Sequence, residues 1–363
     1  MTFVVKYILR YFLFTIILTG SLTTFAQHGD EPDAHNTPAE KELNAGDMIM
    51  EHIADSYEWH IATIGETHIS VPLPILVYSK HTGFHAFMSS KFHHGHDAYE
   101  NLKIAGEDSE NKGKIVEIFN GQEIRPYDIS ITKNTLAMFV SIAILLLVFL
   151  SVAKAYNRRE KKAPKGLQSF LEPLILFIRD DIAKASIAKN PEKFTPFLLT
   201  IFFFIFLNNI MGLIPIFPGG ANLTGNIAIT MVLALFTFVI TTVNANLNYW
   251  KHIVNTPGVP WWLKLPVPLM PVIETIGVFT KPFVLMIRLF ANIMAGHIVV
   301  LGFFSIIFVF GAMSVVAGYG VSVLSIIFTV FLTFLEILVA FIQAYVFTLL
   351  SALYFGMATE EGH

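Results

Sequence analysis

The chain has 363 residues, of which 54% are apolar and only 14% charged, and it contains 34 phenylalanines. This composition is typical of membrane proteins and excludes an ordinary soluble domain. A net charge of −3 argues against a nucleic-acid partner, and the absence of cysteine excludes disulfides, thiolate catalysis and cysteine-based metal sites.

Residues 1–26 are predicted to be a signal peptide. Lys6 and Arg10 precede an apolar stretch from Tyr11 to Leu22, and Thr24-Phe25-Ala26 offers a small-residue cleavage site. The alternative is a short first transmembrane helix. With cleavage, the polar segment that follows would start outside the cytoplasm.

Residues 27–130 are predicted to form a polar extracytoplasmic segment with some strand content, for example around Ile69-Ser70-Val71. The segment holds ten of the 13 histidines, and the candidate metal ligands are His93, His94 and His96. Such a tract suits Zn²⁺ or Cu²⁺, or proton buffering. A solvated surface loop is the favoured alternative because no fixed ligand spacing is evident.

The first predicted membrane helix runs from Asn134 to Ala153, which contains no Asp, Glu, Lys or Arg. At about 1.5 Å per residue it just spans the bilayer core. Six cations follow at once, and by the positive-inside rule they place this end in the cytoplasm. They are Lys154, Arg158, Arg159, Lys161, Lys162 and Lys165.

An amphipathic helix is predicted next, because apolar residues recur at helical spacing among charged ones. It is expected along the cytoplasmic membrane surface, and packing on a partner subunit is a compatible alternative. Its predicted apolar face comprises Leu167, Leu171, Leu174, Ile178, Ile182 and Ala185.

The remaining chain predicts four more membrane helices. A hairpin of about 195–216 and 222–246 turns at a Pro- and Gly-rich segment, and two long apolar runs follow at about 272–311 and 319–357. Each long run gives roughly 60 Å of helix against a bilayer core of about 30 Å. These two helices must therefore break or lie steeply inclined. The predicted fold class is an all-α polytopic membrane protein with about five membrane-embedded helices.

Four fixed charges interrupt the last two helices: Glu274, Lys281, Arg288 and Glu336. The guanidinium of Arg288 stays charged at physiological pH, and inserting it at bilayer depth costs roughly 2.5–3.5 kcal/mol. The first three charges are spaced by seven residues and fall near one helix face, which Asn292 extends.

Further polar residues accompany these charges. On the last helix Gln343 follows Glu336 by seven residues, and His297 is the single histidine in a predicted membrane helix. Several titratable groups inside hydrocarbon are characteristic of an ion or proton path. The alternative is a structural ion pair. For Asn209 a simple helix–helix hydrogen bond is favoured.

Two long motifs resemble subunit a of F-type ATP synthases, the stator channel subunit of the membrane sector. The first is Arg288-Leu289-Phe290-Ala291-Asn292-Ile293-Met294-Ala295-Gly296-His297, and the second runs from Leu335 to Leu350 around Glu336 and Gln343. The resemblance covers roughly residues 126–360. Some bacterial members carry an acid after the Ala-Gly pair and a histidine on the last helix. Here His297 and Glu336 are exchanged, which suggests that the two positions form one titrating pair.

The resemblance implies that residues 131–363 form a membrane channel domain facing a c-ring of carboxylate-bearing rotor subunits, with peripheral-stalk b subunits as further partners. It implies a bacterial inner-membrane location, with the N-terminal segment outside and the C-terminus in the cytoplasm. Arg288 would separate two half-channels that translocate protons. The expected channel residues are Glu336, His297, Gln343 and Asn209 on the outer side, and Asn292 and Glu274 on the cytoplasmic side.

No Walker-type phosphate-binding motif is present, so we expect no nucleotide, no cofactor and no chemistry on this chain itself. The sequence leaves H⁺ or Na⁺ open as the coupling ion. An independent secondary transporter would predict inverted repeats, which we do not find. A membrane anchor for the histidine-rich segment would leave the buried charges unexplained.

Overall fold

A computed structural model describes residues 54–64, 67–95, 97–106, 109–158, 163–214, 219–254 and 269–360. The predicted signal peptide and His96 lie outside this part of the chain. The fold divides into two compact units. We call Ala39–Val140 with Met211–Leu223 the β unit, and Ser141–Ile210 with Thr224–His363 the membrane unit.

The described part of the β unit contains eight short strands. They are β1 (Glu58–Ile64), β2 (Thr67–Pro72), β3 (Pro74–Ser79), β4 (Gly83–Met88), β5 (Leu102–Ile104), β6 (Ile115–Phe119), β7 (Gln122–Ile124) and β8 (Tyr127–Asp128), with a 3₁₀ helix at Ser89–Gly95. The strands form three antiparallel sheets in the orders β1-β2, β4-β3-β8 and β5-β6-β7. The strand predicted around Ile69-Ser70-Val71 is confirmed as part of β2.

Local sequence explains how these strands turn and pack. Asn120 and Gly121 both have positive φ between β6 and β7, as a two-residue hairpin turn requires. Alternate residues of β3, Ile75 and Val77, are fully buried. They join a core with Tyr57, Phe92, Leu102 and Ile115.

The first membrane helix, α1 (Lys133–Arg158), begins inside the β unit. The Asp55 carboxylate accepts a hydrogen bond from the backbone N–H of Asn134 at 3.0 Å, and the N–H of Lys133 donates to the Ser56 carbonyl at 2.8 Å. Burial raises the pKa of Asp55, and the hydrogen bond from Asn134 partly offsets this. A residue far upstream therefore completes the first turn of this helix.

Where the structure describes it, the membrane unit continues α1 and adds six more helices, which are α2 (Leu167–Leu176), α3 (Pro191–Leu213), α4 (Ile227–Asn244), α5 (Leu247–Val254), α6 (Leu269–Met313) and α7 (Val315–Thr359). Five helices in the described part are long and apolar enough to cross a membrane, namely α1, α3, α4, α6 and α7. The prediction of an all-α polytopic membrane fold with five membrane-embedded helices is confirmed for this unit.

Helices α6 and α7 each run unbroken for 45 residues, and Ser314 alone separates them. The prediction left open whether these helices break or incline, and a break does not occur. At about 1.5 Å per residue each is about 68 Å long, so fitting a core of about 30 Å requires a tilt of about 60°.

The predicted amphipathic helix forms as α2, which continues as a π-helical segment at Phe177–Lys184. Ile178 and Ile182 are buried as expected, but the last predicted apolar position, Ala185, is exposed and Ala183 is buried instead. Ala185 departs from the face of Ile178 and Ile182 because π-helical hydrogen bonding adds a residue to each turn and shifts the later side chains.

Candidate functional site

Helices α6 and α7 form an antiparallel hairpin whose register is set by close contacts along its length. The contacts pair Gly311 with Gly318, Phe303 with Phe328, Gly296 with Glu336, and Lys281 with Tyr354. The last two pairs bracket Arg288. By interpolation between these two pairs, Arg288 lies at the level of Tyr345 and Val346, just after Gln343. The predicted polar residues from Arg288 to His297 and from Glu336 to Gln343 therefore fall in the middle of one hairpin, and Glu274 lies near the start of α6.

Glu336 lies directly against the backbone of Gly296. A Cβ atom built on Gly296 would be only 2.6 Å from Oε1 of Glu336, so this position has room for a carboxylate only when the facing residue lacks a side chain. Both Glu336 and the neighbouring His297 are half-buried. The structure thus brings the predicted pair to the same level of the hairpin, near the middle of each helix.

Arg288 lies near the middle of α6 and is exposed on the surface of this chain. It interacts electrostatically with Tyr354 of α7, and it forms no hydrogen bond or ion pair with any residue that the structure describes. Asn292, one turn further along α6, is exposed as well. Neither residue is buried within its own chain.

A buried polar chain reaches α7 from α3. The Asn209 amide donates to the Ala340 carbonyl at 3.3 Å, and its oxygen accepts a hydrogen bond from the Thr224 hydroxyl at 2.6 Å. Ala340 lies one turn after Glu336. This is the helix–helix hydrogen bond favoured for Asn209, and it brings that amide close to the level of Glu336. Gln343 is buried on the same helix.

A second polar cluster surrounds Lys281, toward the start of α6. The Lys281 ammonium lies 5.6 Å from the centre of the Tyr354 ring, and Glu274 interacts electrostatically with Lys281 and with Tyr249 of α5. Burial, and then the negative charge of Glu274, raises the pKa of Tyr249. A cavity opens here, and the polar side chains that line it are Thr237, Thr241, Thr242, Tyr249, Lys281 and Tyr354.

The hydroxyl groups of this cluster are not among the residues predicted from the sequence, which are charged, amide or histidine side chains. The Thr237 hydroxyl lies 3.1 Å from that of Ser351, and both residues are buried. The missed signal was periodicity, since Tyr354 follows Gln343 by eleven residues, or three helical turns, and so shares its face of α7.

The histidine-rich segment shows a different pattern. The Nδ1 atom of His93 lies 2.6 Å from the Asp97 carboxylate, in an exposed pair. His94 belongs to the 3₁₀ helix. Within the described residues, no group of three histidine or acidic side chains has a geometry that suits a metal ion.

Two family profiles match this sequence. The profile described as ATP synthase A chain matches residues 135–356, and one described as a domain of unknown function, DUF8433, matches residues 48–135. The first covers most of the membrane helices and both polar clusters. The second covers the β unit up to the start of α1.

Several relatives share the same name. The chain is 44% identical to an ATP synthase subunit a of Chloroherpeton thalassium over 66% of its own length and 70% of the relative. It is 38% identical to ATP synthase subunit a 2 of Chlorobaculum tepidum over 92% and 80% of the two chains. It is 44% identical to the subunit a of Myxococcus xanthus over 65% and 75%.

Proposed function

The chain belongs to the ATP synthase subunit a family, and we propose from this premise that it conducts protons past a rotating ring of c subunits. It is an integral membrane protein and a membrane-sector subunit of the complex, whose other subunits are its partners. The ATP chemistry belongs to those partners, and peripheral-stalk b subunits are among the expected contacts.

The main support for the proposal is the exposed position of Arg288 near the middle of α6. A permanent cation at the middle of a membrane helix is costly when it faces lipid alone. Arg288 is exposed and unpaired among the described residues, so it requires a counter-charge that those residues do not supply. A carboxylate on a passing rotor helix satisfies that requirement, because an adjacent guanidinium stabilises the ionised carboxylate and lowers its pKa.

The cluster around Glu336 supports an outer half-channel. Protons would pass Asn209 and Gln343 to Glu336 and His297, and from there reach a rotor carboxylate. Once protonated, that carboxylate is neutral and can turn through the lipid. Histidine titrates near neutral pH, which suits it to exchange protons with a neighbouring glutamate.

The cluster around Lys281 supports a cytoplasmic half-channel. Its hydroxyl-lined cavity lies beside Tyr354 of α7, which interacts electrostatically with Arg288 of α6. Glu274 lies toward the start of α6. Protons would leave past Glu274. Asn292, which the resemblance assigned to this path, lies between Arg288 and His297 along α6 and so falls on the Glu336 side. Arg288 stands between the two paths, and a fixed positive charge there repels protons that would otherwise leak directly from one path to the other.

The orientation is part of the proposal. By the positive-inside rule, the cations after α1 and the pair Lys251 and Lys264 after α4 would place the C-terminal ends of these two helices in the cytoplasm. The β unit would then lie outside. The membrane would be the bacterial inner membrane.

The test is proton-driven ATP synthesis by the complete complex in sealed membrane vesicles. We expect Arg288→Ala to abolish synthesis while the complex still assembles. Arg288→Lys should also perform poorly because lysine lacks the planar fork of donors and loses its proton more readily when buried. Arg179→Ala is the matched control, since Arg179 pairs with Asp180 on the π-helical segment. Normal synthesis in the Arg288→Ala complex would remove this residue from the mechanism.

The same vesicles test the coupling ion. If a sodium gradient drives ATP synthesis without a proton gradient, the coupling ion is Na⁺ and not H⁺, and the proposed stator role of the chain still holds. Ion transport by the isolated chain without a rotor would instead favour an independent transporter.

A further inference from the structure

Within the described residues, one sheet face of the β unit has no partner, and we propose that this face rests on the lipid bilayer. The sheet β4-β3-β8 buries Ile75 and Val77 of β3 in the core on one side. On its other side the outward residues are almost entirely apolar. We call this outer side the apolar sheet face. An exposed apolar patch of this kind marks a binding surface for a protein or a membrane.

The register of the strands arranges the apolar sheet face in rows. Tyr78 of β3 pairs with Phe84 of β4 and with Tyr127 of β8, which gives a row of three aromatic side chains. They are 48%, 63% and 61% exposed, respectively. The rings of Tyr78 and Tyr127 lie 6.5 Å apart. Such a row leaves a large aromatic area without a partner in the described chain.

The next rows are aliphatic and lead toward α1. Leu76 pairs with Ala86 and accepts a hydrogen bond from the N–H of Ile129, which is 66% exposed. One row further, the Pro74 carbonyl accepts from the N–H of Ile131. Ile131 is only two residues from Lys133, the first residue of α1. The apolar sheet face is therefore continuous with a helix that spans the membrane.

The opposite end of the face is cationic. Lys80 and Arg125 are exposed and follow the aromatic row on its far side from α1, and the Lys80 ammonium lies 5.9 Å from the centre of the Tyr127 ring. Moving away from α1, the order is thus aliphatic, aromatic, cationic.

This order matches the depth profile of a bilayer surface. Tyrosine is enriched at the membrane interface, where its ring stays in an apolar layer and its hydroxyl reaches water. Lysine and arginine beyond that level meet anionic headgroups. A protein-binding surface would more typically place its polar rim around the whole apolar patch. A lipid surface explains both the continuity with α1 and the one-sided placement of charge.

The experiment uses the full chain in vesicles and exploits its lack of cysteine. Single variants Tyr127→Cys and Ile129→Cys are labelled with bimane, and quenching by lipids that carry a nitroxide near the headgroup is measured. Glu110→Cys is the matched control. Glu110 is exposed in the connection between β5 and β6, and the core residues of these two strands pack against the buried side of β3, away from the apolar sheet face.

We expect several-fold stronger quenching at residues 127 and 129 than at 110, in the isolated chain and in the assembled complex. Quenching no stronger than at residue 110 would overturn the proposal. Quenching that is present in the isolated chain and lost in the complex would assign the face to another subunit. Protection from both lipid quencher and aqueous iodide in the isolated chain would mean that a protein segment covers it. Either of these last two outcomes would reject lipid as the occupant of the apolar sheet face.

A charge-reversal pair tests the cationic end. Lys80→Glu combined with Arg125→Glu should weaken quenching at residue 129 in vesicles rich in phosphatidylglycerol, and have little effect in neutral phosphatidylcholine. An equal effect in both lipids would contradict headgroup recognition by these two residues.

Discussion

Oε1 of Glu336 occupies the space that a side chain on Gly296 would need, 2.6 Å from the position of its Cβ. At this contact the carboxyl group of Glu336 on α7 lies against the backbone of Gly296 on α6, near the middle of both helices. The carboxylate is the far end of a flexible side chain, so an added methyl group would displace it without breaking the helix.

Gly296→Ala is therefore expected to lower proton-driven ATP synthesis several-fold while the complex still assembles. The control is Gly302→Ala, because a Cβ atom at Gly302 meets nothing within 4 Å. Both changes favour helix by up to about 1 kcal/mol, so helix propensity cannot separate them. Equal rates for the two variants in vesicles would contradict a role for the position of the Glu336 carboxylate.

Asn209→Ala should destabilise the membrane unit. The change removes the donor to the Ala340 carbonyl and the acceptor of the Thr224 hydroxyl, and leaving buried polar groups unpaired costs about 1–3 kcal/mol. The matched control is Asn208→Ala, since Asn208 is also buried but bonds to Phe204 within its own helix. The measurement is the thermal aggregation midpoint of the purified chain in detergent. A midpoint equal to that of the control would refute this assignment.

Tyr354→Phe should slow proton release to the cytoplasm. It removes the hydroxyl from the cavity beside Lys281 but keeps the ring that Lys281 contacts. We expect synthesis to fall several-fold with assembly unchanged. Tyr319→Phe serves as control because Tyr319 is exposed near the start of α7. If the two variants conduct equally well, the hydroxyl of Tyr354 is not part of the path.

The β unit should lose stability in acid through Glu117. Burial alone would raise the pKa of this carboxyl, but hydrogen bonds from Ser79 and Thr82 and nearby histidines outweigh burial and lower it. A lowered pKa in the folded state stabilises the fold above the unfolded value of about 4.3, and this contribution disappears as the pH falls through the folded pKa.

Pepsin digestion of the full chain below about pH 4 measures this effect. Cleavage within the β unit should accelerate less on acidification in Glu117→Gln than in the unsubstituted chain. Glu110→Gln, an exposed change, should leave the pH dependence intact. An unchanged pH dependence in Glu117→Gln would show that another group dominates.

Hydropathy and charge predicted the membrane helices well because each spans a continuous apolar run bounded by polar residues. The first helix was expected at 134–153 and forms at Lys133–Arg158, and the hairpin expected at 195–216 and 222–246 forms at Pro191–Leu213 and Ile227–Asn244. The ends differ by a few residues because capping groups such as Asn226, which accepts from the N–H of Ala228, decide them locally.

The contacts between helices were beyond reach of the sequence alone. The meeting of Gly296 with Glu336 depends on the register of two helices, which no single-helix period specifies. The exposure of Arg288 is likewise invisible to hydropathy, because it depends on how the neighbouring helices pack around this side chain. In the β unit, pairings such as Tyr78 with Tyr127 join residues far apart in sequence.

The bond between Asp55 and the N–H of Asn134 links two residues that are 79 positions apart. The α1 segment is apolar enough to enter the membrane as soon as it is synthesised, but its first turn stays incomplete until the preceding strands have folded around Asp55. Folding of these strands and completion of the first turn of α1 are therefore coupled through a single hydrogen bond.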